Sequence, residues 1–180
     1  MKKVTKILAS AAAVAAIFFT TNVNAQTPKL GIGISAGIPT GDPYNFALGA
    51  DARLQFDISK QVSIPVTAGY TNFFAKDYTQ GNLTIKGQDY GYIPVKAGVK
   101  LFLNDTGAGA YALGEAGAAF GVTDGSKTGF IYSPAIGYAF SSGLDLGVKY
   151  EGISGSRDVD GYYPKNTGQV ALRIAYGFKL

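Results

Sequence analysis

The chain has 180 residues, 16 basic and 12 acidic side chains, a formal net charge of +4, and neither Cys nor His. That length suits one domain. The missing cysteines exclude disulfides, thiolate metal sites and a lipid-modified N-terminal cysteine, so packing and hydrogen bonds alone must hold the fold.

The chain opens with Lys2, Lys3 and Lys6, then an Ala-rich apolar run from Ile7 to Phe19, then Val23-Asn24-Ala25 before Gln26. A basic start, an apolar middle and small residues at the cleavage position form a secretory signal. A membrane-spanning helix would need about 20 apolar residues, more than this run supplies. Residues 1–25 therefore read as a removed signal peptide and 26–180 as one mature domain. Removing the three lysines leaves 13 basic against 12 acidic groups (13 − 12 = +1). No basic face remains to suggest nucleic acid.

The mature chain alternates with period two. In the first segment Leu30, Ile32, Ile34, Ala36 and Ile38 oppose Gly31, Gly33, Ser35 and Gly37. In the second, Phe46, Leu48, Ala50, Ala52, Leu54 and Phe56 oppose Ala47, Gly49, Asp51, Arg53 and Gln55. As a helix that segment would mix charge and apolar groups around its circumference; as a strand it separates them. The third runs from Val62 to Tyr70. The fourth sets Ile93, Val95, Ala97, Val99 and Leu101 against Tyr92, Pro94, Lys96, Gly98 and Lys100. The Ala- and Gly-rich stretch from Gly109 to Gly121 has Glu115 as its single charge, which leaves its phase open. Phe130 to Phe140, Leu144 to Glu151 and Gln169 to Leu180 alternate again, the last two placing Asp145, Lys149, Glu151 and Arg173 on their polar faces.

Eight strands result. The links after the second, fourth and sixth (Asp57 to Gln61, Asn104 to Gly107, Ser141 to Gly143) are short. Those around Pro39 to Asn45, Phe73 to Asp89, Val122 to Lys127 and Ile153 to Asn166 read as longer, solvated loops. Short turns at one end and long loops at the other are expected of an outer-membrane barrel, with both termini on the periplasmic side. Phe46 and Phe56, like Phe130 and Phe140, lie ten residues apart on one face. At 3.3 Å per residue and a tilt near 40° that spacing climbs roughly 25 Å, the height of a barrel's apolar band. These four rings, with Tyr176 and Phe178, are the candidate aromatic girdles. A soluble β-sandwich also allows alternation, but explains neither aromatic residues at both ends of the apolar face nor the loop asymmetry.

With these features the chain resembles the small outer-membrane β-barrel proteins of the OmpA/OmpX-like kind. The resemblance covers the whole mature chain and includes the ending Tyr176-Gly177-Phe178-Lys179-Leu180, although Leu180 stands where a terminal Phe is usual. It implies an all-β, eight-stranded antiparallel up-and-down transmembrane barrel in a Gram-negative outer membrane. It further implies a monomer surrounded by lipid, inserted by machinery that reads the last strand, with a surface partner for the long loops. Barrel enzymes of this kind resemble one another in using a His base, which this chain lacks; no catalytic role and no cofactor are expected.

The inward faces carry Asp51, Arg53, Lys96, Lys100, Glu115, Asp145, Lys149, Glu151 and Arg173, four acids and five bases. An eight-stranded barrel is just wide enough for side chains to fill it, and charges there must be paired. They read as an ionic plug; the alternative is a narrow porin-like path for small solutes. A soluble exported barrel holding an apolar ligand is a further alternative, disfavoured by so charged an interior. Gly31-Ile32-Gly33-Ile34-Ser35-Ala36 matches a permissive dinucleotide pattern, but no helix follows, so the glycines read as space for a crowded lumen. Asp158-Val159-Asp160-Gly161 lacks the remaining ligands of a calcium loop. Tyr44, Phe73, Phe74, Tyr78, Tyr162 and Tyr163 read as the upper girdle or loop packing.

Overall fold

The computed structural model describes residues 28–80, 83–155 and 166–180. The proposed signal peptide, the Asp158–Gly161 segment and Tyr162-Tyr163-Pro164 lie outside them. Eight strands close into one antiparallel barrel: β1 (Lys29–Pro39), β2 (Tyr44–Asp57), β3 (Val62–Ala75), β6 (Tyr90–Phe102), β7 (Gly109–Gly121), β8 (Thr128–Ala139), β9 (Leu144–Ser154) and β10 (Asn166–Lys179). Two short strands, β4 (Tyr78–Gln80) and β5 (Leu83–Ile85), pair as a hairpin between β3 and β6. Each barrel strand pairs with its neighbour in sequence, and β1 with β10 completes the closure from Lys29↔Lys179 to Pro39↔Gln169. Closure removes every open sheet edge from the barrel wall.

The ladders are staggered. From Leu30 the paired residues run through Leu54, Val66, Ala97, Ala116, Tyr132 and Gly152 to Gly168. The Gly168 carbonyl accepts the Thr40 amide at 2.8 Å. One circuit thus returns ten residues further along β1 (40 − 30 = 10). With eight strands, that stagger corresponds to a tilt of about 40°.

Burial alternates along each strand with the polar set inside. Ser35, Arg53, Thr67, Lys96, Lys100, Glu115, Glu151, Gln169 and Arg173 are buried, whereas Ile34, Leu48, Phe130, Ile136, Leu172 and Ile174 are exposed. The barrel is inside-out relative to a water-soluble domain, which hides its large apolar side chains. In β7 the phase left open by composition is settled: Tyr111, Leu113 and Glu115 point inward, Ala112, Gly114 and Ala116 outward.

Several strands run beyond their alternating cores. β3 reaches Ala75 and β2 begins at Tyr44, so only residues 40–43 connect β1 to β2. That link is as short as residues 58–61 at the opposite end. The expected asymmetry of loops therefore rests on residues 76–89 and 155–165. Tyr44 and Phe73 are correspondingly not girdle or loop residues. Both are buried inside the barrel, because the strands that carry them extend past the apolar band.

Candidate functional site

Among the described residues the lumen gathers most of the buried polar side chains, and it can be followed from the end holding both Lys29 and Lys179 (the terminal end) to the loop end. Lys29 lies 2.8 Å from Asp57. The Asp57 carboxylate also accepts from Gln55 at 2.8 Å and from the Ser63 hydroxyl at 2.7 Å. Asp57 belongs to β2 and is buried, a correction to its expected place in the turn; it continues the inward phase of Arg53 and Gln55.

Deeper in, Lys100 meets Asp145 at 2.7 Å, and the Tyr111 hydroxyl donates to the same carboxylate at 2.6 Å. The Lys100 ammonium also sits 3.8 Å from the Tyr111 ring centroid. Arg173 lies 3.9 Å from Asp145 and engages Asp51 through two nitrogens, Nη2 at 2.5 Å and Nε at 2.9 Å. A two-pronged guanidinium–carboxylate contact holds both planes in one orientation. Gly33 makes room for it, since a Cβ there would come within 2.7 Å of the guanidinium.

A second set lies toward the loop end. Glu115 takes Arg53 at 3.2 Å, Lys96 at 3.7 Å and the Thr67 hydroxyl at 2.5 Å. Glu151 takes Lys96 at 2.6 Å, Lys149 at 3.2 Å, the Tyr92 hydroxyl at 2.6 Å and Gln169 at 3.2 Å. The nine charges singled out from sequence thus all face inward and fall into two connected groups. Lys100, Asp145, Arg173 and Asp51 form one; Arg53, Glu115, Lys96, Glu151 and Lys149 form the other. Sequence reasoning missed Lys29 and Asp57, although both continue the inward phase of their strands. It also missed the neutral partners Tyr92, Tyr111, Thr67 and Gln169, all on inward positions.

Above Glu151 the interior turns apolar. Tyr44, Ala47, Phe73, Tyr90, Tyr92, Ala119, Ile131 and Ile153 form a buried cluster across the loop end. Phe73 packs against Tyr44, Tyr90 and Tyr92 with ring centroids 5.3, 6.2 and 5.8 Å apart. Phe73, Tyr90 and Tyr92 are 0% exposed, so this layer leaves no water-accessible gap around its largest rings. The terminal end is different: a cavity of about 570 Å³ opens there between the turns.

On the outer wall, Phe46 and Phe130 stand near the loop end, Phe46 stacked on Phe74 at 4.5 Å and Phe130 beside Tyr132 at 6.3 Å. Phe56, Phe140, Tyr176 and Phe178 stand near the terminal end. Phe140 meets Tyr138 at 4.8 Å, and Tyr176 meets Phe178 at 5.0 Å. Between these two levels the wall is mostly aliphatic, with Ile34, Leu48, Ile136, Val148, Leu172 and Ile174, and Tyr70 among them.

The closed eight-stranded antiparallel barrel matches known structures. The fold is that of a small outer-membrane β-barrel. Ail, the attachment invasion locus protein of Yersinia pestis, superposes with a TM-score of 0.55 at 17% identity, over 85% of this chain and 99% of its own. Neisserial surface protein A gives 0.55 at 14% identity, over 87% and 100%. The N-terminal barrel domain of Pseudomonas aeruginosa OprF gives 0.52 at 12% identity, over 86% and 100%. Ail is also known in complex with the heparin analogue sucrose octasulfate. No protein-family model and no curated protein matches the chain.

Proposed function

We propose that this protein is an exported barrel of the bacterial outer membrane whose role is structural or surface-interacting, with a lumen that does not conduct. On this reading residues 1–25 are the signal peptide, 26–180 the mature monomer, and the terminal end faces the periplasm. Lipid covers the aliphatic band, and Phe46, Phe130, Phe56, Phe140, Tyr176 and Phe178 sit in the two interfacial girdles. The machinery that inserts such barrels reads the strand ending at Leu180. The observation that carries the reading is the pair of closures inside: a dry aromatic layer at the loop end above a column of directly paired charges. A water path would need these pairs to be separated by solvent.

A surface partner would meet the loops at 76–89 and 155–165. Ail's sulfated ligand raises the question of a polyanion here. The charges do not favour one. Lys76, Lys86 and Lys127 stand against Asp42, Asp77, Asp89 and Asp124, and the sequence 156–165 holds two bases and two acids. Lys76 is already engaged by Asp42 at 2.5 Å. A neutral or mixed-charge surface fits better. Catalysis is disfavoured by the missing histidine and by inward carboxylates already committed to cations.

The test is single-channel recording in a planar bilayer, together with gel mobility before and after heating. Heat-dependent mobility without current steps is the expected result. Discrete, reproducible steps would replace this reading with the narrow channel, and the inward charges would become its selectivity residues.

A further inference from the structure

Among the described residues the lumen has one open mouth, and its charge is unbalanced. On the inward positions Lys29, Arg53, Lys96, Lys100, Lys149 and Arg173 face Asp51, Asp57, Glu115, Asp145 and Glu151, six bases against five acids, and exposed Lys179 adds a seventh base at the rim. The excess reaches the mouth. The terminal-end cavity of about 570 Å³ is lined by Lys29, Arg53, Lys100, Arg173 and Lys179, with Asp145 as its one lining carboxylate.

The register sharpens this. Lys29 and Lys179 are directly opposite each other on β1 and β10. Like charges in that position repel and destabilise the pair. Asp57 answers Lys29 alone, at 2.8 Å; among the described residues Lys179 forms no ion pair. The side chain of Lys29 is 30% exposed, so it can still reach an incoming group. The aromatic layer closes the other end, making the cavity a blind vestibule. Protein walls of low polarity concentrate the field of its cations and draw counter-ions in.

We propose that this vestibule binds a small multivalent anion carrying phosphate or carboxylate groups. Lys29 and Lys179 grip it at the rim, while Arg173 and Lys100 below stay paired with Asp51 and Asp145. Its occupancy relieves the repulsion between the two opposed lysines. The proposal needs the barrel and its open mouth only; it stands whether or not the surface role above is right.

The experiment is calorimetric titration of inorganic pyrophosphate into the refolded protein in phosphate-free maltoside micelles, repeated in phosphatidylcholine nanodiscs. Saturable one-to-one binding is expected in micelles, weakening at least tenfold in Lys179→Gln. Lys179 has no internal partner to strand, so the variant should keep its heat-dependent mobility. Gly31→Asp is a second probe: a Cβ there meets nothing nearer than 3.7 Å, so the variant adds a carboxylate to the mouth without crowding. It too should weaken binding at least tenfold. Binding kept in nanodiscs identifies a soluble anion; binding lost there identifies a lipid phosphate as the occupant of the same site. No saturable binding in micelles, or equal binding by wild type and both variants, overturns the proposal.

Discussion

The Lys96 ammonium lies 2.6 Å from the Glu151 carboxylate, although their strands, β6 and β9, are not neighbours in the barrel. The pair crosses the lumen. Lys149 at 3.2 Å, Tyr92 at 2.6 Å and Gln169 at 3.2 Å complete the shell of Glu151. Glu151 thus ties β6 across the interior to β9 and β10, which are already paired in the wall with Gln169 opposite Glu151.

Truncating that carboxylate is the most damaging single change expected inside the barrel. Glu151→Ala leaves Lys96 and Lys149 buried without their main partner. Breaking one side of a buried ion pair costs about 3–5 kcal/mol. Denaturant unfolding in micelles measures it, with exposed Lys60→Ala as control at less than about 0.5 kcal/mol. Equal losses at both sites would remove the claim that the ionic column carries stability.

Tyr92→Phe isolates one hydrogen bond of the same shell. The ring keeps its packing against Phe73 and Tyr90 while Glu151 loses a donor. The expected cost is about 1–3 kcal/mol, that of a buried acceptor losing a partner. A variant as stable as wild type would mean that solvent reaches Glu151, and so that the aromatic layer does not seal the lumen.

Ile136 is 67% exposed on β8, between the levels of Phe130 and Phe140. Against lipid, Ile136→Arg should cost roughly 2–4 kcal/mol, and the same change nearer a strand end less than about 1 kcal/mol. Refolding into vesicles across a denaturant series gives both numbers. A flat profile along the strand would argue that water, not hydrocarbon, meets this wall.

Two glycines give opposite forecasts. A Cβ at Gly98, on the inward face of β6, would collide with the Gly114 carbonyl oxygen of the adjacent strand, whereas Gly114 itself faces open space. Gly98→Ala should lose roughly 1–3 kcal/mol through crowding against backbone that cannot yield. Gly114→Ala should change stability by no more than about 0.5 kcal/mol. The fraction of heat-modifiable protein after refolding ranks the two.

Much of this was legible in the chain because a strand's side chains alternate with period two. Phe46 to Phe56 displays that period in its letters, so the inward place of Asp51 and Arg53 followed without coordinates. Where the letters lose contrast the reading stops. Gly109 to Gly121 is nearly all Ala and Gly, and either phase puts small residues on both faces; packing put Glu115 within reach of Arg53 and Lys96. Asp57 and Tyr44 were misread for a related reason. At strand ends, polar and aromatic residues look like turn and girdle, and only the partner strand reveals that the ladder continues past them.

The sequence by itself determined the eight barrel strands, their antiparallel order and, outside Gly109 to Gly121 and the strand ends, which residues face inward, since these depend on local periodicity and on turn residues. Tertiary structure decided who meets whom across the lumen. The ten-residue stagger of the closed ladder sets Lys96 opposite Glu151 and Arg173 beside Asp51, and no local pattern encodes that stagger. It also decided that buried Phe73, Tyr90 and Tyr92 fill one end while a cavity of about 570 Å³ opens at the other. That outcome depends on how far each strand runs before the chain turns, a length fixed by packing against its neighbours.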